Sequence, residues 1–389
     1  MNTRVALYSA VGEEITRYEV DVDSATLVKR ETIKAPASVQ YAWPHPSKRY
    51  LYAATSNRGP GLNADFNHVS AYRVDPAGGA LTPHGEPQKL PARAVHICVD
   101  ANGNYVLSAH NLPKSGLTVN RINGDGTLGP GVRQPDGLVY GIYPHQVMIT
   151  PSNRTTIIVD RGNSAKEGKP EEPGALRLFR FNDGVHSNLA AIAPNGGYGF
   201  GPRHLDFHPT KPWVYVSLEL QSLLHMYRLS GDSLEPQPAF VRDTLAGRAN
   251  IKPRQLAGTI HVHPNGRFVY VANRADWTVD YEGKRVFGGG ENSIAVYAID
   301  QQSGEPTLIQ HADTHSFHVR TFAMDPSARL MVAASIQPHA VREGNTVTPV
   351  PAAMSVFRIG NDGKLEFVRK IEVATNGKTQ YWAGMIGLS

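Results

Sequence analysis

A single cysteine, Cys98, stands in 389 residues, so no intrachain disulfide can form and zinc sites built from several thiolates are excluded. Nothing in the chain approaches the roughly 18 uninterrupted apolar residues of a membrane span. The short apolar stretch from Val5 to Val11 runs into Glu13 and Glu14 with no convincing cleavage site. Secretion and membrane insertion are therefore unsupported, and a cytoplasmic address is expected. Lysines and arginines are scattered without a run, and a formal net charge of +5 is modest for this length, so no nucleic-acid partner is expected. There is no G-x-S-x-G elbow, no P-loop and no assignable Ser-His-Asp order.

Turn formers are plentiful instead. The chain holds 37 Gly and 28 Pro without a collagen-like period or a low-complexity tract, which means many turns and an all-β chain. Its length exceeds the usual single core, leaving several domains, one large closed β architecture or a repeat array.

A repeat is visible. The segments 42–54, 97–109, 147–159, 205–217, 260–272 and 322–334 each read as a strand, a Pro/Asn/Gly turn and a second strand rich in β-branched and aromatic residues. Their turn marks, Pro46, Ala101, Pro151, Pro209, Pro264 and Pro326, are separated by 55, 50, 58, 55 and 62 residues, close to the period of four-stranded propeller blades. A third strand follows most hairpins, as in Val69 to Val74 or Ile294 to Ile299, and then a short fourth segment. The ends hold half units: Arg4 to Ser9 and Ile15 to Val20 lack a first strand, which Gln380 to Gly387 supplies. The expectation is one seven-bladed β-propeller over residues 1–389, closed by pairing of its N- and C-terminal strands. A β-sandwich or two β domains explain the period poorly.

The turn marks also act as a ruler. His45, His208 and His263 recur just before the mark, which favours a shared turn hydrogen bond over three catalytic histidines. His261 and His263 share a strand face, a geometry open to a metal, but the scaffold reading of His263 weakens it and no metal or other cofactor is expected. Six residues before the mark stand Gln40, Val95, His145, Arg203, Gly258 and Arg320. Ten residues after it stand Ser56, Asn111, Arg161, Glu219, Arg274 and Ile336. The scaffold does not dictate identity at either position. If both face the channel mouth, several arginines converge there with one carboxylate and one imidazole, and guanidinium forks match carboxylate and phosphate geometry. His145, Arg203, Glu219 and Arg274 are the candidate catalytic residues, with His204, Arg161, Arg320 and Asn111 as candidate substrate contacts.

At these residues the sequence resembles the lactonase family of seven-bladed propellers, which includes bacterial 6-phosphogluconolactonases and the fungal 3-carboxy-cis,cis-muconate lactonizing enzyme. The matching segments are Pro144 to Arg154, Gly201 to Pro209, Val216 to Leu220, Ile260 to Arg267 and Tyr270 to Arg274, with Gly-Pro-Arg-His at 201–204 followed by Glu-Leu at 219–220 as the most specific. The resemblance implies metal-independent work on a lactone, with His145, Arg203, Glu219 and Arg274 at the family's proposed functional positions. His145 would activate water, Arg203 and Arg274 would hold the substrate anion and the oxyanion, and Glu219 would orient an arginine or move a proton. Longer inserts at 58–66, 162–173 and 275–292 place the rim, and with it substrate choice, outside the family's minimal pattern.

The leading expectation is a hydrolase acting on a small anionic sugar lactone. A cycloisomerase that forms or opens a lactone by adding a carboxylate across a double bond comes second, and a non-catalytic ligand-binding propeller third.

Overall fold

All six aligned segments fold as hairpins. A computed structural model describes residues 4–388. The first strands of blades 1 to 7 are Ser38–Pro44, Ala94–Val99, Pro144–Ile149, Pro202–Phe207, Gln255–Val262, Val319–Met324 and Gln380–Gly387. The second strands, in the same order, are Tyr50–Ser56, Tyr105–His110, Thr155–Asp160, Trp213–Leu218, Phe268–Ala275, Leu330–Ser335 and Val5–Val11. Third and fourth strands continue each sheet outward, and each neighbouring pair of first strands is in contact, so the first strands form a closed inner ring.

The half units at the ends join as expected. Gln380–Gly387 pairs antiparallel with Val5–Val11, from Val5 opposite Gly387 to Ala10 opposite Trp382, and leaves blade 7 without an open inner edge. Gln380 Nε2 donates to Ser9 Oγ at 2.7 Å across this closure.

Second strands are buried on both faces because neighbouring blades pack against them. Their sequences accordingly run as continuous apolar stretches such as Trp213-Val-Tyr-Val-Ser-Leu218, with no alternation. Outer strands such as Thr26–Lys34 are largely exposed. Tyrosines of the second strands join four blades to the next: the hydroxyls of Tyr8, Tyr52, Tyr215 and Tyr270 donate to the carbonyls of Gly79, Gly126, Gly304 and Gly363.

The recurrent turn histidines have the same structural task. Nε2 of His45, His208 and His263 donates to the carbonyl of Gly103, Gly266 and Ala328, each in the next blade's turn, at 3.0, 2.8 and 3.1 Å. Nδ1 meanwhile accepts a backbone N–H of its own turn, from Ser47, Lys211 and Asn265, which fixes the tautomer. Gly103 and Gly266 take positive φ at +73° and +70°, and a Cβ there would collide with the incoming imidazole. His263 thus has both ring nitrogens engaged and is not free to join His261 around a metal.

All connections between second and third strands emerge on one face of the ring. They include the three inserts read from the sequence. Residues 162–173 form a narrow loop bridged at Asn163–Glu172, and 275–292 carries the hairpin Thr278–Tyr281/Lys284–Phe287. A further hairpin, His339–Glu343/Thr346–Val350, was not apparent from the sequence. Its Arg342 stacks 3.8 Å over the Tyr281 ring, and its His339 ring lies 6.2 Å from that of Phe287, so the two hairpins form one structured rim. Among the described residues no helix is long and apolar enough to cross a membrane.

Candidate active site

Every blade interrupts its innermost ladder at the same place. In blade 1, Val39 faces Thr55 and Tyr41 faces Ala54, which leaves Gln40 without a partner. The residue left out is Val95 in blade 2, His145 in blade 3, Arg203 in blade 4, Arg320 in blade 6 and Tyr381 in blade 7. Blade 5 has Gly258 and Thr259 in the gap. A bulge re-aims the extra side chain and frees it from ladder pairing, so the scaffold imposes no identity there. This is the physical reason that the position six before each turn mark varies.

The bulges surround a cavity of about 320 Å³ on the face that carries the inserts. It brings together five of the expected residues, His145, Arg161, Glu219, Arg274 and Arg320. Arg203, 1 % exposed, lies beneath the wall and reaches the cavity only through Glu219. His204 and Asn111 are not on the wall. His204 is paired in the ladder beside the bulge, its ring 5.2 Å from that of His145 and 5.7 Å from that of His96. Asn111 is buried with neither amide atom bonded.

Glu219 is the centre of the charge cluster. Its Oε2 accepts from Arg161 at 2.9 Å, and its Oε1 accepts from Arg274 and lies 3.0 Å from Arg203 Nε. Burial alone would raise the pKa of this carboxyl, but the positive charges of Arg274, Arg161 and Arg203 override it and hold it down to about 2. Burial and Arg274 press against the charge of Arg203, and Glu219 supports it. An arginine in such company stays protonated at neutral pH. The Arg161 guanidinium also stacks 4.1 Å over the Tyr143 ring.

A second chain of contacts supports Arg274. Its Nη1 donates to His318 Nε2 at 2.8 Å, so this imidazole is the neutral tautomer with its proton on Nδ1, 3.5 Å from Asp276 Oδ2. Asp276 is gripped in turn by Arg254, at 2.6 and 2.7 Å. Burial, followed by Arg274 and other arginines, keeps His318 well below the ordinary histidine pKa.

His145 is different in being unengaged. No protein group hydrogen-bonds its ring among the described residues, and Nδ1 is buried without a partner. Burial, and after it the charges of Arg203, Arg161, Arg320 and Arg274, hold its pKa well down. It is therefore a neutral, unoccupied proton acceptor on a strongly cationic wall. The arrangement suits attack on a carbonyl: arginines to receive negative charge and one free imidazole to take a proton from water.

Sequence reasoning missed Arg93, Tyr143, Arg254, Asp276, His318 and Tyr381 on this wall. Arg93, Tyr143 and His318 each stand two residues before the bulge position and one before the first strand begins, so their recurrence at that offset from the turn mark was the signal. The opposite end of the channel is chemically unlike this one. There a cavity of about 360 Å³ is lined by Tyr41, Trp43, Phe322 and Trp382, and among the described residues its wall has no arginine.

Comparison with known proteins agrees with this architecture. The family model for lactonase, 7-bladed beta-propeller, matches residues 3–342. The chain belongs to that family. Among curated members, the 6-phosphogluconolactonase of Serratia proteamaculans is 28 % identical over 324 residues, 74 % of this chain and 88 % of the relative. That of Yersinia pestis is 26 % identical over 342 residues, 80 % and 94 % of the two chains. Among solved structures, the periplasmic gluconolactonase PpgL of Pseudomonas aeruginosa superposes over 100 % of both chains with a TM-score of 0.73 at 18 % identity, a likeness of fold.

Proposed function

We propose that this lactonase-family propeller hydrolyses a sugar lactone carrying an anionic group. The observation that carries the reading is the pairing, on one cavity wall, of an unengaged neutral His145 with arginines held by a permanently ionised Glu219. Water adds to the lactone carbonyl as His145 takes one of its protons, and the negative charge on the carbonyl oxygen develops against Arg274 and Arg161. Collapse of the tetrahedral intermediate breaks the ring C–O bond, and the imidazolium returns its proton to the departing alkoxide. The product is the open hydroxy acid. Glu219 serves by fixing arginines, since a carboxyl held near 2 moves no proton at neutral pH.

Incubation with a panel of lactones including 6-phosphogluconolactone and gluconolactone, followed by NMR, tests the reading. Ring opening faster than the spontaneous rate, lost in His145→Ala, is expected. A protein that opens none of them at an enzymatic rate, or whose His145→Ala variant is fully active, refutes it.

A further inference from the structure

The cavity has two unlike halves. Blades 3 to 5 contribute His145, Arg161, Glu219, Arg274 and Asp276, with Arg203 beneath, and every arginine in this arc has a carboxylate partner. The facing arc, from blades 6, 7, 1 and 2, contributes Arg320 and Arg93, and among the described residues neither forms an ion pair. Arg93 is 2 % exposed; its Nε donates to Gln40 Oε1 at 2.8 Å, and its Nη1 is buried with no partner. Among the described residues the Arg320 side chain makes no hydrogen bond, and it stacks 4.7 Å over Tyr381, which sets the plane of its guanidinium. The two charges lie on one cavity wall closely enough that Arg320, after burial, works against the charge of Arg93. A buried cation without a counterion is costly, and two that repel are costlier, unless a ligand supplies the anion.

We propose that Arg93 and Arg320 form the seat for the permanent anion of the substrate, a phosphate or carboxylate borne on the lactone, which thereby presents its ring carbonyl to His145 and Arg274 opposite. The proposal rests on the hydrolytic reading above and names the substrate class of that site. Two guanidinium forks offer donors in fixed planes, as tetrahedral and planar oxyanions require. Pro60, from the insert at 58–66, lies on the same wall and makes the insert part of the seat's surround.

Two measurements on the full-length chain test it. Inorganic phosphate and malonate, as the two anion probes, are titrated calorimetrically against wild type, Arg93→Gln and Arg320→Gln. At least one probe binds the wild type, and each substitution weakens it about 10- to 100-fold, the range for a charge-assisted contact. Preference for phosphate or malonate tells which anion the seat takes. Steady-state kinetics then compare 6-phosphogluconolactone with unphosphorylated gluconolactone. Each variant raises KM for the charged lactone by a similar factor and costs the neutral one markedly less. Arg93→Lys, which keeps the charge without the fork, recovers part of the loss.

Undiminished anion binding in both variants overturns the seat, as does an equal loss on both lactones. Should Arg93→Gln fail to fold by circular dichroism, Arg320→Gln, at a half-buried site, decides alone. If the wild type opens no lactone but binds an anion through Arg93 and Arg320, the hydrolytic reading falls and the anion seat stands.

Discussion

Arg203 Nε lies 3.0 Å from Glu219 Oε1, with 1 % and 4 % of the two side chains exposed. This pair comes from the two ends of the same hairpin: a bulge residue at the start of the first strand and the residue just past the second. The hairpin therefore carries its own counterion, and the carboxylate left over on that oxygen pair recruits Arg161 from blade 3 and Arg274 from blade 5. One carboxylate ties three blades together at the cavity floor.

Replacing Glu219 by Gln leaves three arginines facing one another out of water. Breaking a buried ion pair from one side costs about 3 to 5 kcal/mol. Denaturant unfolding of Glu219→Gln is expected to show a loss of that size, together with a fall in kcat/KM as Arg274 loses its anchor. An unfolding midpoint equal to that of wild type sinks the counterion role.

His45→Ala is expected to behave in the opposite way. The imidazole bridges two blades far from the cavity through Gly103, and losing its half-buried bond to Gly103 and its exposed one to Ser47 costs about 1 kcal/mol. Thermal unfolding should come earlier while kcat and KM on the identified lactone stay at wild-type values. A drop in kcat without a change in stability would move His45 from scaffold to chemistry.

The parts of the fold carried by local pairing were legible in the sequence. Each hairpin is a continuous segment, and the ring closure followed from a missing first strand at one end and a spare strand at the other. The bulge position was legible as well, since aligned copies showed where identity was free. What failed depended on backbone outside the regular ladder. Arg93 and His318 stand just before their first strands, His318 with φ at +53°, so no strand periodicity points them into the cavity. His204, adjacent to Arg203, is turned the other way by ladder pairing with Ser217. Arg254 and Asp276 meet through loop geometry, and the hairpin at 339–350 hides in a stretch without apolar alternation.

The fold should weaken as solutions turn mildly acidic. Burial holds His110, His186 and His225 to about 4, and His96, His145, His204 and His318 well below the ordinary value. In the unfolded chain these rings take a proton near 6.5. Below that pH the unfolded state binds more protons, so stability is full above about 6.5 and falls as pH drops, by about 1.4 kcal/mol per unit for each of the first three down to about 4. Glu219 acts in a lower window: its contribution is full above the unfolded carboxylate value of about 4.3 and is lost progressively as pH falls from there through about 2. Urea midpoints measured from pH 8 to 5 should be level above about 6.5 and fall steeply below it. A flat profile across that range would show that these histidines are not buried neutral.

The same depression changes what the pH profile of catalysis should look like. An unperturbed histidine base would give kcat/KM an acidic limb near 6.5. His145 is surrounded by Arg203, Arg161, Arg320 and Arg274 and shielded from solvent, so it stays a free base well below that value. The wild-type rate should hold steady from pH 8 through 6.5 and fall only in more acidic solution. His318 is the other neutral imidazole on the wall, but its Nε2 already accepts from Arg274, which leaves His145 as the ring able to receive a proton from water. His145→Ala should therefore lower kcat by about 10² to 10⁴, the usual scale for a general base, and abolish that acidic limb. His318→Ala should instead raise KM and lower kcat modestly by loosening Arg274, with the limb still present. If the limb disappears with His318 and survives the loss of His145, the base has been assigned to the wrong ring.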